Sequence, residues 1–218
     1  MFIGHYALGL AAKRLVPRTS LGTLIAAPTL ADLLWPMFLL AGWEHVTPAA
    51  NPNPFLNFTF DSYPISHSLL TLIGWGLLFA VLYRMRTGYG RGAVAVGLLV
   101  VSHWVLDYVV HIPDLPLYPG GAKVGLGLWN SPAATIVVEA IMTVGGIALY
   151  LATTRARDRV GSYGLAGFLG LLVLSYVASL FSPPPSNLQA LAVGGIVFGW
   201  LFVVLAAWVD RHRESVAG

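Results

Sequence analysis

Apolar stretches long enough to cross a bilayer dominate the chain, parted by short breaks rich in proline, glycine and arginine. A helix needs about 20 such residues to span the hydrocarbon core. Stretches of that length run near 19–42, 64–85, 91–112, 131–153, 160–182 and 187–209. The first 16 residues form a shorter apolar helix, read as a full crossing or a half-inserted arm. Ser131 precedes Pro132, which places a capping hydroxyl ahead of a first-turn proline, and Asn187 occupies a similar position. The run "SPPPS" at 182–186 reads as a tight turn. The pattern predicts an all-α fold, a polytopic membrane helical bundle of six transmembrane helices plus a short N-terminal membrane helix.

Composition agrees and excludes a soluble domain. Only 10% of residues are charged and 57% are hydrophobic, against about 25% charged in ordinary soluble proteins. Cysteine is absent, so disulfides and thiolate metal ligands are excluded. The net charge of +3 does not imply nucleic acid, because the basic residues flank apolar spans. Eleven of the 12 lysines and arginines fall in loops of one parity or in the tail, and Lys123 alone lies opposite. By the positive-inside rule the C-terminus is cytoplasmic and the 43–63 and 114–130 loops face outward. The expected location is the inner membrane of a bacterial-type cell, multi-pass, among membrane lipids.

On that frame the polar residues become informative. In "VSHWVLDYVVHIPDLP", residues 100–115, steps of 4, 4 and 3 set His103, Asp107, His111 and Asp114 within about 80° of a helix surface, at about 100° per residue. His5, Asp32, His67 and Glu139 fall at a similar depth in other segments. Singly, such a residue is more often a hydrogen-bonded packing group. Together, Asp32, Asp107 and Glu139 would cost on the order of 8–10 kcal/mol to embed, and no lysine or arginine lies in that half of any span. The remaining counter-charges are a bound metal cation or protons; histidine with carboxylate is the ligand set of zinc, one or two ions, and with more oxygen of manganese or iron.

Other residues read more plainly. Asp61 or Ser62 caps the helix opening at Pro64, while Asp61 or Asp114 is the candidate general base at the mouth. Glu44 and His45 read as a wet loop, and Asp158, Asp210, His212 and Glu214 as solvated. Residues 160–209 hold no acid, base or histidine. Their spaced glycines (164, 167, 170, 195, 199) read as packing faces of a C-terminal hairpin scaffold. The domain reading is thus one integral membrane unit, 1–218, with the metal-site helices in 1–153 and the scaffold in 154–218. Trp35, Trp43, Trp129, Tyr63 and Tyr118 read as an interfacial belt. Residues 123–130 form a lip in which Lys123 could attract an anionic group.

The residue order is itself familiar. His5, Asp32 in "ADLLWP", the Ser-His-Ser at 66–68, the His-x-x-x-Asp of 103–107 and a further histidine resemble the membrane-bound metal-dependent hydrolase family. The order is also similar to that of the soluble zinc-dependent phospholipase C family. The resemblance covers residues 1–140 and implies that Asp32, His67, His103 and Asp107 hold one metal. It implies His111 and Glu139 as part of a second set, with His5 as the early histidine. Thr135 stands where the soluble family has a histidine, and its amino-terminal ligand has no evident counterpart. The resulting expectation is a membrane-embedded metal-dependent hydrolase with Asp61, Asp114 and Glu139 as catalytic candidates. Its substrate would be a lipid or isoprenoid phosphate ester at the outer leaflet. A proton- or cation-coupled transporter and a scaffold around a structural metal are the alternatives.

Overall fold

The structure, a computed structural model, describes residues 1–183 and 187–216, so part of the 182–186 turn lies outside the described residues. In chain order the helices are α1 (Ile3–Ala12), α2 (Leu21–Ala26), α3 (Leu30–Leu40), α4 (Pro64–His67), α5 (Leu69–Thr87), α6 (Gly90–Val110), α7 (Pro132–Thr153), α8 (Arg159–Phe181) and α9 (Leu188–Arg211). Three two-stranded antiparallel ribbons join them: β1 (His45–Pro48) with β2 (Phe58–Ser62), β3 (Leu115–Pro116) with β4 (Lys123–Val124), and β5 (Thr154–Ala156) with β6 (Arg213–Ser215). The protein is an all-α membrane-type bundle. Among the described residues five helices, α5 to α9, are long and apolar enough to cross a bilayer.

The stretch 19–42 departs from expectation, being two helices of 6 and 11 residues rather than one crossing. Pro28 lacks a backbone N–H and disfavours helix in the residue before it. The Thr29 hydroxyl then donates to the Ile25 carbonyl at 2.7 Å, closing α2 where its ladder ends. α3 restarts after Thr29 and carries Asp32 in its first turn, where the positive end of the helix dipole favours a carboxylate.

Caps mark several other starts. Ser20, Ser68, Asp158 and Asn187 each accept a hydrogen bond from the backbone N–H three residues on. Ser131 makes no such side-chain bond; Thr135 fills that turn by donating to the carbonyls of Leu128 and Ser131. α1 lies against α7 because Gly146 lets the backbones touch: a Cβ there would come within 2.4 Å of the Ala7 carbonyl oxygen. α5 and α6 cross in the same way at Gly76 and Gly97. Of the spaced glycines in α8, Gly164 takes the Trp208 ring, whereas Gly167 and Gly170 face open space. Gly195 and Gly199 of α9 receive Pro36 and Leu33 of α3.

The arginine-rich end is tied by buried polar contacts. Asp210, expected to be solvated, instead takes the Lys13 ammonium at 2.8 Å, the Leu21 amide at 2.9 Å and the Tyr150 hydroxyl at 3.1 Å. α1, α2 and α7 thereby converge on the end of α9. Arg213 is buried beside them and donates to the carbonyls of Gly161 and Thr154. Much of the remaining surface is lipid-like: Leu77, Val94, Leu98, Val144 and Leu174 are all exposed.

Candidate metal centre

The break between α2 and α3 builds the site. It leaves the Pro28 carbonyl free to accept the Nδ1–H of His103 at 2.8 Å, and it points Asp32 toward the same ring. With Nδ1 donating to that carbonyl, the Nε2 of His103 carries the lone pair. That nitrogen is buried without a hydrogen-bond partner, yet it sits 3.1 Å from Asp107 Oδ2 and 4.0 Å from Asp32 Oδ1. A lone pair facing carboxylate oxygens is repulsive unless a proton or a metal cation lies between them.

Two more histidines are set the same way. Ser66 gives its only hydroxyl hydrogen to Glu44 Oε2 at 2.6 Å, so its oxygen accepts the Nδ1–H of His67 at 2.7 Å. Nε2 of His67 then faces Asp32 Oδ1 at 3.6 Å. His111 donates from Nδ1 to Asp114 Oδ1 at 2.8 Å and turns Nε2 to Asp107 Oδ2 at 3.5 Å. Carboxylate or carbonyl partners on one ring nitrogen, leaving the other for an ion, are the usual support of histidine ligands.

Two groups of ligand atoms come within 4.8 Å of one another: His5, His103 and Asp107, and Asp32, His67 and His103. Ligands at 2.0–2.1 Å around a tetrahedral ion are separated by about 3.3–3.4 Å. The observed 3.1 to 4.0 Å bracket that value. The residues present therefore fit a zinc-type ion. His5 stacks on His103 with ring centroids 4.0 Å apart and meets Asp107 Oδ1 through Nε2 at 3.1 Å. The Met1 amino group also contacts Asp107 Oδ1. Asp32 is the least enclosed member, its side chain 47% exposed to the cavity.

Other expected residues lie elsewhere. Glu139 is in neither ligand group; its carboxylate accepts the backbone amides of Phe2 and Gly4 at 3.1 to 3.3 Å, holding the start of α1. Asp61 is exposed on β2, and Lys123 donates to its carbonyl and to that of Phe60 rather than reaching the site. Asp114 serves His111 and also accepts from the Tyr63 hydroxyl at 3.3 Å. Neither Asp61 nor Ser62 caps α4. Glu44 does so, with Oε1 accepting the amides of Ile65 and Ser66 at 2.7 and 2.8 Å. Glu44 is fully buried, not a wet loop residue.

Tyr63 and Trp129 are likewise buried and pack on His111, Trp129 at 4.1 Å between centroids, so they wall the site instead of lying in a belt. Residues 123–130 pack against the end of α6, where Gly127 donates to the His111 carbonyl at 2.7 Å, and contribute Trp129 to the cavity lining. A cavity of about 700 Å³ opens over Asp32, His67, Asp107 and His111. Its far wall is α8 and α9, so the C-terminal hairpin is part of the site's enclosure and not scaffold alone. Comparisons with protein-family models, with curated proteins and with solved structures return no match.

Proposed function

We propose that the protein is a membrane-embedded metal-dependent hydrolase whose centre is built from Asp32, His67, His103 and Asp107, flanked by His111 and His5. The observation that carries this reading is the Nε2 of His103, buried, unpartnered and aimed between two carboxylates. A zinc-type ion held there supplies Lewis acidity to a phosphoryl or carbonyl oxygen and acidifies a water. Manganese or iron would suit the same mixed nitrogen and oxygen ligands.

The chain's own groups do the rest. Glu44 through Ser66, the Pro28 carbonyl and Asp114 hold three imidazoles with Nε2 toward the Asp32 and Asp107 carboxylates, the residues that would hold the ion. His111 and Asp114, 2.8 Å apart beside the cavity, form a pair able to take and return a proton. Trp35, Phe60 and Trp129 line the cavity and limit water near the centre. A site reached from among membrane helices favours a lipid or isoprenoid phosphate ester, and the arginine distribution favours a site on the outer face.

The test is elemental analysis of protein purified without chelator, followed by a lipid-phosphatase screen with and without chelator. The expected result is bound transition metal in the wild type, lost in His103→Ala and Asp107→Ala, with turnover abolished by chelation. Metal without turnover makes the centre structural. Metal-free wild-type protein ends the hydrolase reading and favours a proton- or cation-coupled transporter.

A further inference from the structure

The cavity extends well beyond the cluster, and its surplus runs in one direction. α8 and α9 meet edge to face at Phe168 and Phe202, with centroids 6.2 Å apart, and Gly164 takes the Trp208 ring nearer the arginine-rich end. Past that contact, Ser175 to Ser179 on α8, Ser182 just beyond its end, and Leu191 to Gly199 on α9 supply residues that line the cavity. The wall there is not packed: a Cβ on Gly194 would meet nothing within 4 Å, and Phe198 is 55% exposed. Two of its hydroxyls are spent on their own helix: Ser179 donates to the Tyr176 carbonyl at 2.7 Å and Ser182 to that of Ala178 at 2.8 Å. The Tyr176 hydroxyl, buried and without a partner among the described residues, is a polar point on a wall otherwise made mostly of Leu191, Phe198, Phe202 and glycine.

The other end of the same cavity is Asp32, His67, Asp107 and His111. One continuous slot is thus greasy between two membrane-spanning helices and ionic at its floor. Its volume of about 700 Å³ lies within the roughly 300–1,000 Å³ of sites that enclose one small ligand. We propose that this slot receives the hydrocarbon chain of an anionic amphiphile, admitted sideways between α8 and α9, with its phosphate head at the cluster. The assignment rests on the metal reading above, because Asp32 and Asp107 alone would repel such a head.

The test uses the full-length protein in nanodiscs of zwitterionic lipid, with a long-chain alkyl phosphate bearing a diazirine at the chain end. Light-induced adducts are mapped by mass spectrometry, and metal content is measured on the same samples. Adducts are expected on residues 175–199, with most of that labelling lost in Gly194→Leu, whose side chain fills the slot. They should persist in Gly167→Leu, a control on an exposed face with open space around it. Chelation should also reduce them by freeing the head. Adducts spread over the outward faces of α5 to α9, or unchanged in Gly194→Leu, overturn the slot while leaving a measured metal centre standing. Adducts confined to the slot but indifferent to chelation keep the slot and remove the metal as anchor of the head.

Discussion

At the scale of single residues, the site depends on which nitrogen of each imidazole is spoken for. His67 shows this best, since a serine that must accept and a glutamate that must receive together leave Nε2 without a proton. Removing such a supporting partner typically costs 10–100-fold in metal affinity. Glu44→Gln is therefore expected to weaken metal binding by about that factor, read by competition with a chromogenic chelator. His45→Gln, next door but exposed, should leave it unchanged. Equal affinities for Glu44→Gln and wild type would remove Glu44 from the centre's support. The members of the His/Asp cluster were legible in the sequence because charge and imidazole stand out against hydrocarbon. Glu44 was not, for it is 22 residues from Ser66 and no local spacing marks a carboxylate that folds back to cap another helix.

Among elements, the informative failure of sequence reading is 19–42. Hydropathy sums over the break, and a proline within an apolar run is compatible with either a kink or two helices. Burial decided it, because the freed Pro28 carbonyl found the His103 ring and Asp32 gained a helix start. At the opposite end the ion pair of Lys13 with Asp210 joins α1 to α9, its side chains only 6% and 11% exposed. Leaving one member of such a pair alone costs about 3–5 kcal/mol. Asp210→Ala is expected to lower unfolding stability in detergent by that order, and Lys13→Met with Asp210→Leu to recover much of it. Additive losses in the double variant would deny the coupling.

α8 starts on a milder device. Asp158 accepts from the Gly161 amide and from His212, both at 2.8 Å. The His212 hydrogen bond, with the helix-start amides, draws its carboxyl below the usual range. A group depressed in the folded state contributes stability above its unfolded value and loses it as pH falls through the folded one. The protection factor of the Gly161 amide, its exchange relative to the intrinsic rate at each pH, should therefore fall on acidification below the ordinary carboxylate range, and Asp158→Asn should flatten that dependence.

For the whole molecule, the bundle, five of the six expected long spans and the asymmetric arginines follow from the sequence, whereas the enclosure does not. Nothing in 160–209 marks it as a wall, because an apolar face looks alike whether it meets lipid, protein or an open slot. Sidedness is testable without background labelling, since the chain has no cysteine. In intact cells, a cysteine at Lys123 should react with an impermeant maleimide, and one at Arg86 only after lysis. The reverse result would move the site to the cytoplasmic face.

His103 stands where α1, the α2–α3 break and α6 come together, and both ligand triplets include it. Its second nitrogen is committed to Pro28, and an imidazole lone pair cannot be divided. An ion gripped by Asp32, His67, His103 and Asp107 thus takes the single lone pair that a second ion would also need, so His103 admits one occupant and not two.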